Sequence, residues 1–138
     1  MSRPMTLGVR GLVSDSDGRI VMVRHTYVEG WYLPGGGVER GETAADALRR
    51  ELAEEAGVKL EDAPELIGVF SNHSSFPDDH VLLFSVASTG WSICETDCAG
   101  EVAEIRWVDP GDLPDGTTPG TLRRLEEWQT GAPPAAYW

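Results

Sequence analysis

Three features of the sequence predict an α+β fold. An amphipathic helical segment, residues 43–57, lies between glycine-containing turns in the first half of the chain. Runs rich in apolar and β-branched residues flank it on both sides, at 5–13, 19–24, 65–70, 80–88 and 101–108. A second helical start, Thr118-Pro119, follows the last of them. Periods near two and near 3.6 in one chain imply mixed strands and helices. At 138 residues, and with neither an internal repeat nor a domain-sized linker, residues 1–138 are expected to form a single domain with one sizeable core.

Taken in order, Met5–Val13 reads as the first strand and Ser14–Gly18 as a polar turn. Arg19–Arg24 then reads as the hairpin partner of that strand, with Ile20 and Met22 inward and Val21 and Val23 as further core candidates. His25–Gly30 is a loop, and Trp31–Gly37 ends in three glycines that let the backbone approach a ligand closely. In the helix, Thr43 is the N-cap, Asp46 completes a capping-box arrangement and Gly57 supplies the stop. At α-helical pitch Leu48 and Leu52 form an apolar stripe beside Ala45 and Ala56. Ala44 and Ala47 fall among the glutamates, where small side chains would leave room for ions and phosphate.

Two more strands follow, Glu65–Phe70 and His80–Ser88, around the polar loop Ser71–Asp79. That loop could reach the mouth of a site, where Phe76 or His80 would stack on a base or touch a phosphate. Glu101–Val108 is the last strand. The final helix starts at Thr118-Pro119 and would pack through Leu122, Leu125 and Trp128. Residues 131–138 form a Pro/Ala-rich tail, either loose or docked on a partner subunit through Tyr137 and Trp138.

Composition narrows the function classes. Eleven basic against twenty-three acidic residues give a net charge of −12, which argues against nonspecific nucleic-acid binding. No apolar run approaches a membrane span and no secretory leader is evident, so a cytoplasmic, membrane-free protein is expected. Cys94 and Cys98 are spaced too widely for a zinc knuckle. His73 and His80 could complete a zinc site in principle, but free thiols are the simpler reading.

The chemistry concentrates in Glu51, Glu54 and Glu55, spaced i, i+3, i+4 on one expected helix face. Like charges so placed repel, and a hard divalent cation would reverse the sign of that energy. Gly36, Glu42, Arg50, Glu51, Leu52, Glu54, Glu55, Gly57 and Val58 occupy every fixed position of G-x5-E-x7-R-E-U-x-E-E-x-G-U, where U is a bulky aliphatic residue. The segment therefore resembles the box of the Nudix hydrolase family, MutT-like enzymes.

The resemblance implies a mixed sheet sandwiched between helices, α/β/α. It also implies hydrolysis of a diphosphate bond in a nucleoside diphosphate linked to another moiety, dependent on Mg²⁺ or Mn²⁺. It assigns Glu54 and Glu55 as metal ligands, Glu51 as a further ligand or general base, and the Gly35 carbonyl as a ligand. Glu101, preferred over Glu104, would be an extra carboxylate from outside the box. Arg50 would hold Glu51 in place, while Gly36, Glu42 and Gly57 shape the box. The substrate would be a small nucleotide or nucleotide sugar, and a homodimer is common among small members. A silent nucleotide-binding sensor of the same fold is the alternative, and RNA-end processing lacks the basic surface it would need.

Overall fold

A computed structural model describes residues 3–96 and 101–138. Its four-stranded sheet runs in the order β4 (Gly35–Gly37), β1 (Thr6–Val13), β7 (Asp79–Val86), β6 (Glu65–Ser71). β1 and β7 are parallel and the other neighbours antiparallel, so the sheet is mixed. A second, antiparallel sheet orders β3 (Trp31–Tyr32), β2 (Ile20–His25) and β9 (Val102–Val108). β5 (Val58–Leu60) and β8 (Trp91–Ile93) form a separate pair. Helix α1 (Ala44–Glu51) passes into a π-helical turn, Leu52–Ala56, and α2 spans Pro119–Thr130.

Alternation along the strands creates two cores, one on each side of the sheet layer. Val9 and Val13 of β1 and Val21 of β2 pack with Ala47, Leu48 and Leu52 beneath α1. Leu12, Ile20 and Met22 face the other way and meet Phe70, Leu83 and Leu125 beneath α2. Sheets between two helices are the expected α+β, α/β/α arrangement, and all four inward candidates of β2 are buried.

Several expectations are corrected. β2 is not the hairpin partner of β1: apart from a bridge between Ser14 and Ile20, the two strands join different sheets. Ala47 lies in the core rather than over the carboxylates, and Ala44 packs against the same cluster, because both fall at i−4 or i−1 from Leu48. α2 buries Thr121, Arg124 and Leu125, whereas Leu122 and Trp128 stay substantially exposed. Thr118 makes no side-chain cap bond and instead meets the Thr121 hydroxyl at 2.7 Å.

The tail is neither loose nor dependent on a partner for its contacts. Ser71 N–H donates to Ala136 O and Trp138 N–H to Ser71 O, extending the β6 edge. The Trp138 ring meets Phe70 edge-on at 5.4 Å. Arg124, 1% exposed, lies 4.1 Å from the Phe70 ring centroid and donates to the main-chain oxygens of Tyr137 and Trp138. A buried guanidinium needs such satisfaction, and Glu127 completes it at 2.8 Å. Cys94 is a half-buried free thiol, and Cys98 lies outside the described residues.

Candidate active site

The site is assembled where α1 and its π turn cross β4. Glu51 follows Ala47 by one turn, so it sits on the flank of the buried stripe with its carboxylate drawn inward. Gly36 makes this possible: a Cβ there would lie 2.5 Å from Glu51 Oε1. Gly35 is equally constrained, since its Cβ would meet Val9 O in the neighbouring strand. Both glycines therefore serve close approach of backbone to strand and to carboxylate.

Arg50 organises the entrance. Its Nε and Nη2 donate to Glu42 at 2.8 and 2.9 Å, Nη1 to Glu51 at 2.8 Å, and Nη2 also to Gly37 O at 3.1 Å. Glu54 approaches Nη1 at 3.6 Å. The bidentate pair with Arg50, helped by the Glu39 N–H, pulls the Glu42 carboxyl down to about 2. Glu51 shifts the other way. Burial raises its pKa first, and Glu55 and Glu54 add to the rise against the opposing Arg50 bond.

Glu51, Glu54 and Glu55 stay close enough for the latter two to raise the pKa of the first, and Glu51 and Glu54 both approach Arg50 Nη1. The turn that carries Glu54 and Glu55 is π-helical, and Gly57, left-handed at φ 66°, donates its N–H to Leu52 O in an i→i+5 bond. Glu55 turns inward, 7% exposed, accepting from Gly35 N–H at 3.3 Å and lying 3.4 Å from His25 Nε2. The Glu54 side chain remains 44% exposed. Among the described residues, no three acidic, histidine or cysteine side chains converge into a closed metal cage.

The donor chemistry nevertheless fits a hard divalent cation. Glu55 and Glu54 raise the electrostatic cost of ionising Glu51 beside a glycine cradle, and Glu54 lies 3.6 Å from the Arg50 nitrogen that holds Glu51. Mg²⁺ commonly takes only one or two carboxylates, with water and phosphate completing its shell.

The candidates outside the box divide. Glu101 is exposed and enters only through its main-chain oxygen, which accepts from Thr26 N–H at 3.1 Å. Glu104 bonds Arg106 at 2.8 Å and approaches Arg24 at 3.5 Å, and Arg106 lowers its pKa. Phe76 stands 65% exposed at the junction of two cavities of about 370 and 440 Å³. His80 lines neither, because strand alternation sends Asp79 and Val81 to one face of β7 and His80 to the other.

Sequence reasoning passed over two neighbours of this site. His25 ends β2 instead of opening a loop, and it contacts Glu55. Arg10 lines both cavities. Its only signal was a charge in an otherwise apolar strand.

The comparisons with known proteins bear on the family and the fold. Residues 4–129 match the NUDIX domain family. The chain is 32% identical over 127 residues to a Bacillus subtilis (strain 168) protein named "Putative 8-oxo-dGTP diphosphatase", covering 92% of this chain and 82% of that one. To a "MutT-like protein" of Streptomyces ambofaciens it is 30% identical over 129 residues, covering 94% and 80%. The fold matches the crystal structure of a MutT NUDIX hydrolase from Burkholderia pseudomallei at a TM-score of 0.75 and 23% identity, covering 90% and 98%. A family match spanning nearly the whole chain, on a fold with the same box at its centre, makes this chain a member of the Nudix hydrolase family.

Proposed function

We propose that the chain is a divalent-metal-dependent pyrophosphohydrolase acting on a nucleoside diphosphate linked to another moiety. The observation that carries the reading is the Glu51 carboxylate, recessed beside Gly36, tethered by Arg50 and raised in pKa by burial and by Glu55 and Glu54. Relatives named as diphosphatases or pyrophosphatases add to it.

Glu51, Glu54, Glu55 and the Gly35 carbonyl would hold Mg²⁺ or Mn²⁺, with Glu101 as a further carboxylate. When bound, such a cation supplies neutralisation for charge growing on phosphate oxygens. The remaining work falls to the chain. Glu51 is either a further ligand or, left outside the ligand set, the carboxylate that would take a proton from an attacking water, and burial raises its pKa. Arg50 holds it in place, and Glu42 keeps Arg50 from swinging away. Of the three glycines of β4, Gly37 has open space beside its Cα, and Gly36 and Gly37 line the cavity where a diphosphate would lie.

The test is product release from a panel of nucleotides and nucleotide sugars, with Mg²⁺, Mn²⁺ or chelator, alongside Glu54→Gln. Cleavage of one substrate class that needs metal and collapses through kcat in the variant is expected. Near-normal activity of Glu54→Gln at saturating metal would refute the ligand assignment. Nucleotide binding without any turnover would replace the hydrolase reading by that of a sensor.

A further inference from the structure

Arg10 is an unusual cation for its surroundings. Other arginines that line cavities are committed: Arg24 to Glu104 at 3.5 Å, Arg106 to Glu104 at 2.8 Å, Arg124 to Glu127 at 2.8 Å, and Arg123 to Trp138 O at 2.6 Å. Arg10 makes no ion pair among the described residues. Its single hydrogen bond runs from Nη1 to Leu33 O at 2.8 Å, and its guanidinium lies 5.7 Å from the Tyr32 ring centroid. Four of its five N–H groups therefore have no acceptor among the described residues.

Its position explains what those groups could meet. Arg10 pairs with Gly35 across β1 and β4, so its Cα is fixed beside the backbone whose N–H donates to the Glu55 carboxylate. Its charge feels Glu55 and Glu51, while burial opposes the charged form. On the other side Arg10 lines both cavities, together with Asn72, Phe76 and Val81. One cavity reaches Gly36 and Gly37, and the other reaches Thr118–Thr121 and Trp138. Arg10 thus stands at the passage from the carboxylate cluster to a groove with room for an organic group. Arg10 is half-buried and its unpaired N–H groups open on the cavities, where the planar fork suits two phosphate oxygens.

We propose that Arg10 is a substrate-binding residue that grips a phosphate at this passage, directing the attached organic group into the groove beside Phe76. The assignment rests on the hydrolase reading for its catalytic consequence, though not for binding itself. It makes phosphate contact here the source of orientation, since the chain's net charge of −12 would by itself repel a polyanion.

The experiment measures calorimetric binding of adenosine, AMP and ADP, and of guanosine, GMP and GDP, with Mg²⁺ present. The proteins are the unmodified chain, Arg10→Gln and Arg10→Lys, each checked for folding by thermal melt. Arg10→Gln should weaken diphosphate binding at least tenfold and leave nucleoside binding within twofold. Arg10→Lys, which keeps the charge without the fork, should fall between. On the substrate found by turnover, KM should rise tenfold or more while kcat changes less than threefold. If Arg10→Gln does not fold, Arg10→Lys decides, and diphosphate binding equal to the parent's overturns the proposal. Equal losses for nucleoside and nucleotide also overturn it, because they indicate a packing role. Nucleotide binding without turnover would sink the hydrolase reading while leaving the binding comparison intact. Unchanged KM in an active enzyme would sink the Arg10 assignment alone.

Discussion

Glu42 and Glu51 share one arginine yet titrate in opposite directions. Glu42 accepts two N–H groups from Arg50 and one from Glu39, so its ionised form is held to about 2. Glu51 receives one Arg50 bond, is largely desolvated, and faces two more carboxylates. The folded pKa of Glu51 lies above its ordinary value of 4.5. Its contribution to stability is therefore full below that value and is lost as pH rises through the folded pKa. For Glu42 the contribution is present above 4.5 and is lost as pH falls toward about 2. In metal-stripped protein, Glu51→Gln should melt above the parent at pH 7, and the difference should vanish by about pH 4. Glu42→Gln should melt below the parent at pH 7 and converge with it under acid. Thermal melts from pH 2 to pH 8 would decide, and parallel curves for either variant would refute its charge assignment. Added Mg²⁺ should erase the advantage of Glu51→Gln.

At the scale of elements, α1 shows what periodicity can and cannot reveal. Its cap at Thr43, its stop at Gly57 and its buried leucines were legible because local chemistry determines them. The π turn was not, since no residue in Leu52–Ala56 announces an i→i+5 bond. Glu54 and Glu55 face different ways because successive helical residues do, one toward solvent and one inward. The partner of β1 was also illegible: alternation marks a strand and its faces, but does not name its neighbour. Hence RIVMVR was readable as a strand and misread as a hairpin arm. Arg10 was hidden for the same reason, because its meaning depends on a groove built by β1, β7 and α2 together. Ala47 offers a direct check on the corrected helix phase. Ala47→Leu should overpack the core and destabilise the fold by about 1–3 kcal/mol, measured by urea denaturation. A neutral stability change with lost metal affinity would restore the original expectation.

At the scale of the molecule, two cores share one layer of strands, and the groove opens where that layer is left uncovered between Gly36 and α2. Among the described residues no helix is long and apolar enough to cross a membrane. The box announced the chemistry, but its reach across the molecule depends on contacts among residues far apart in sequence. Trp138 is the clearest of these, because it packs on Phe70, receives Arg123 and Arg124, and forms part of the groove wall. Any coupling between docking of the last residues and filling of the groove acts equally in both directions, and a ligand packed on the Trp138 wall would favour the docked tail. The backbone bridge to β6 provides a clock for that coupling. Amide exchange at Ser71 and Trp138 should slow when ADP or GDP occupies the groove, and Trp138→Ala should abolish the slowing. Exchange unchanged by a bound nucleotide would mean that the wall is indifferent to its tenant. If the slowing is found, the end of this chain is a gauge of occupancy at a site whose chemistry lies on the opposite flank of the same sheet.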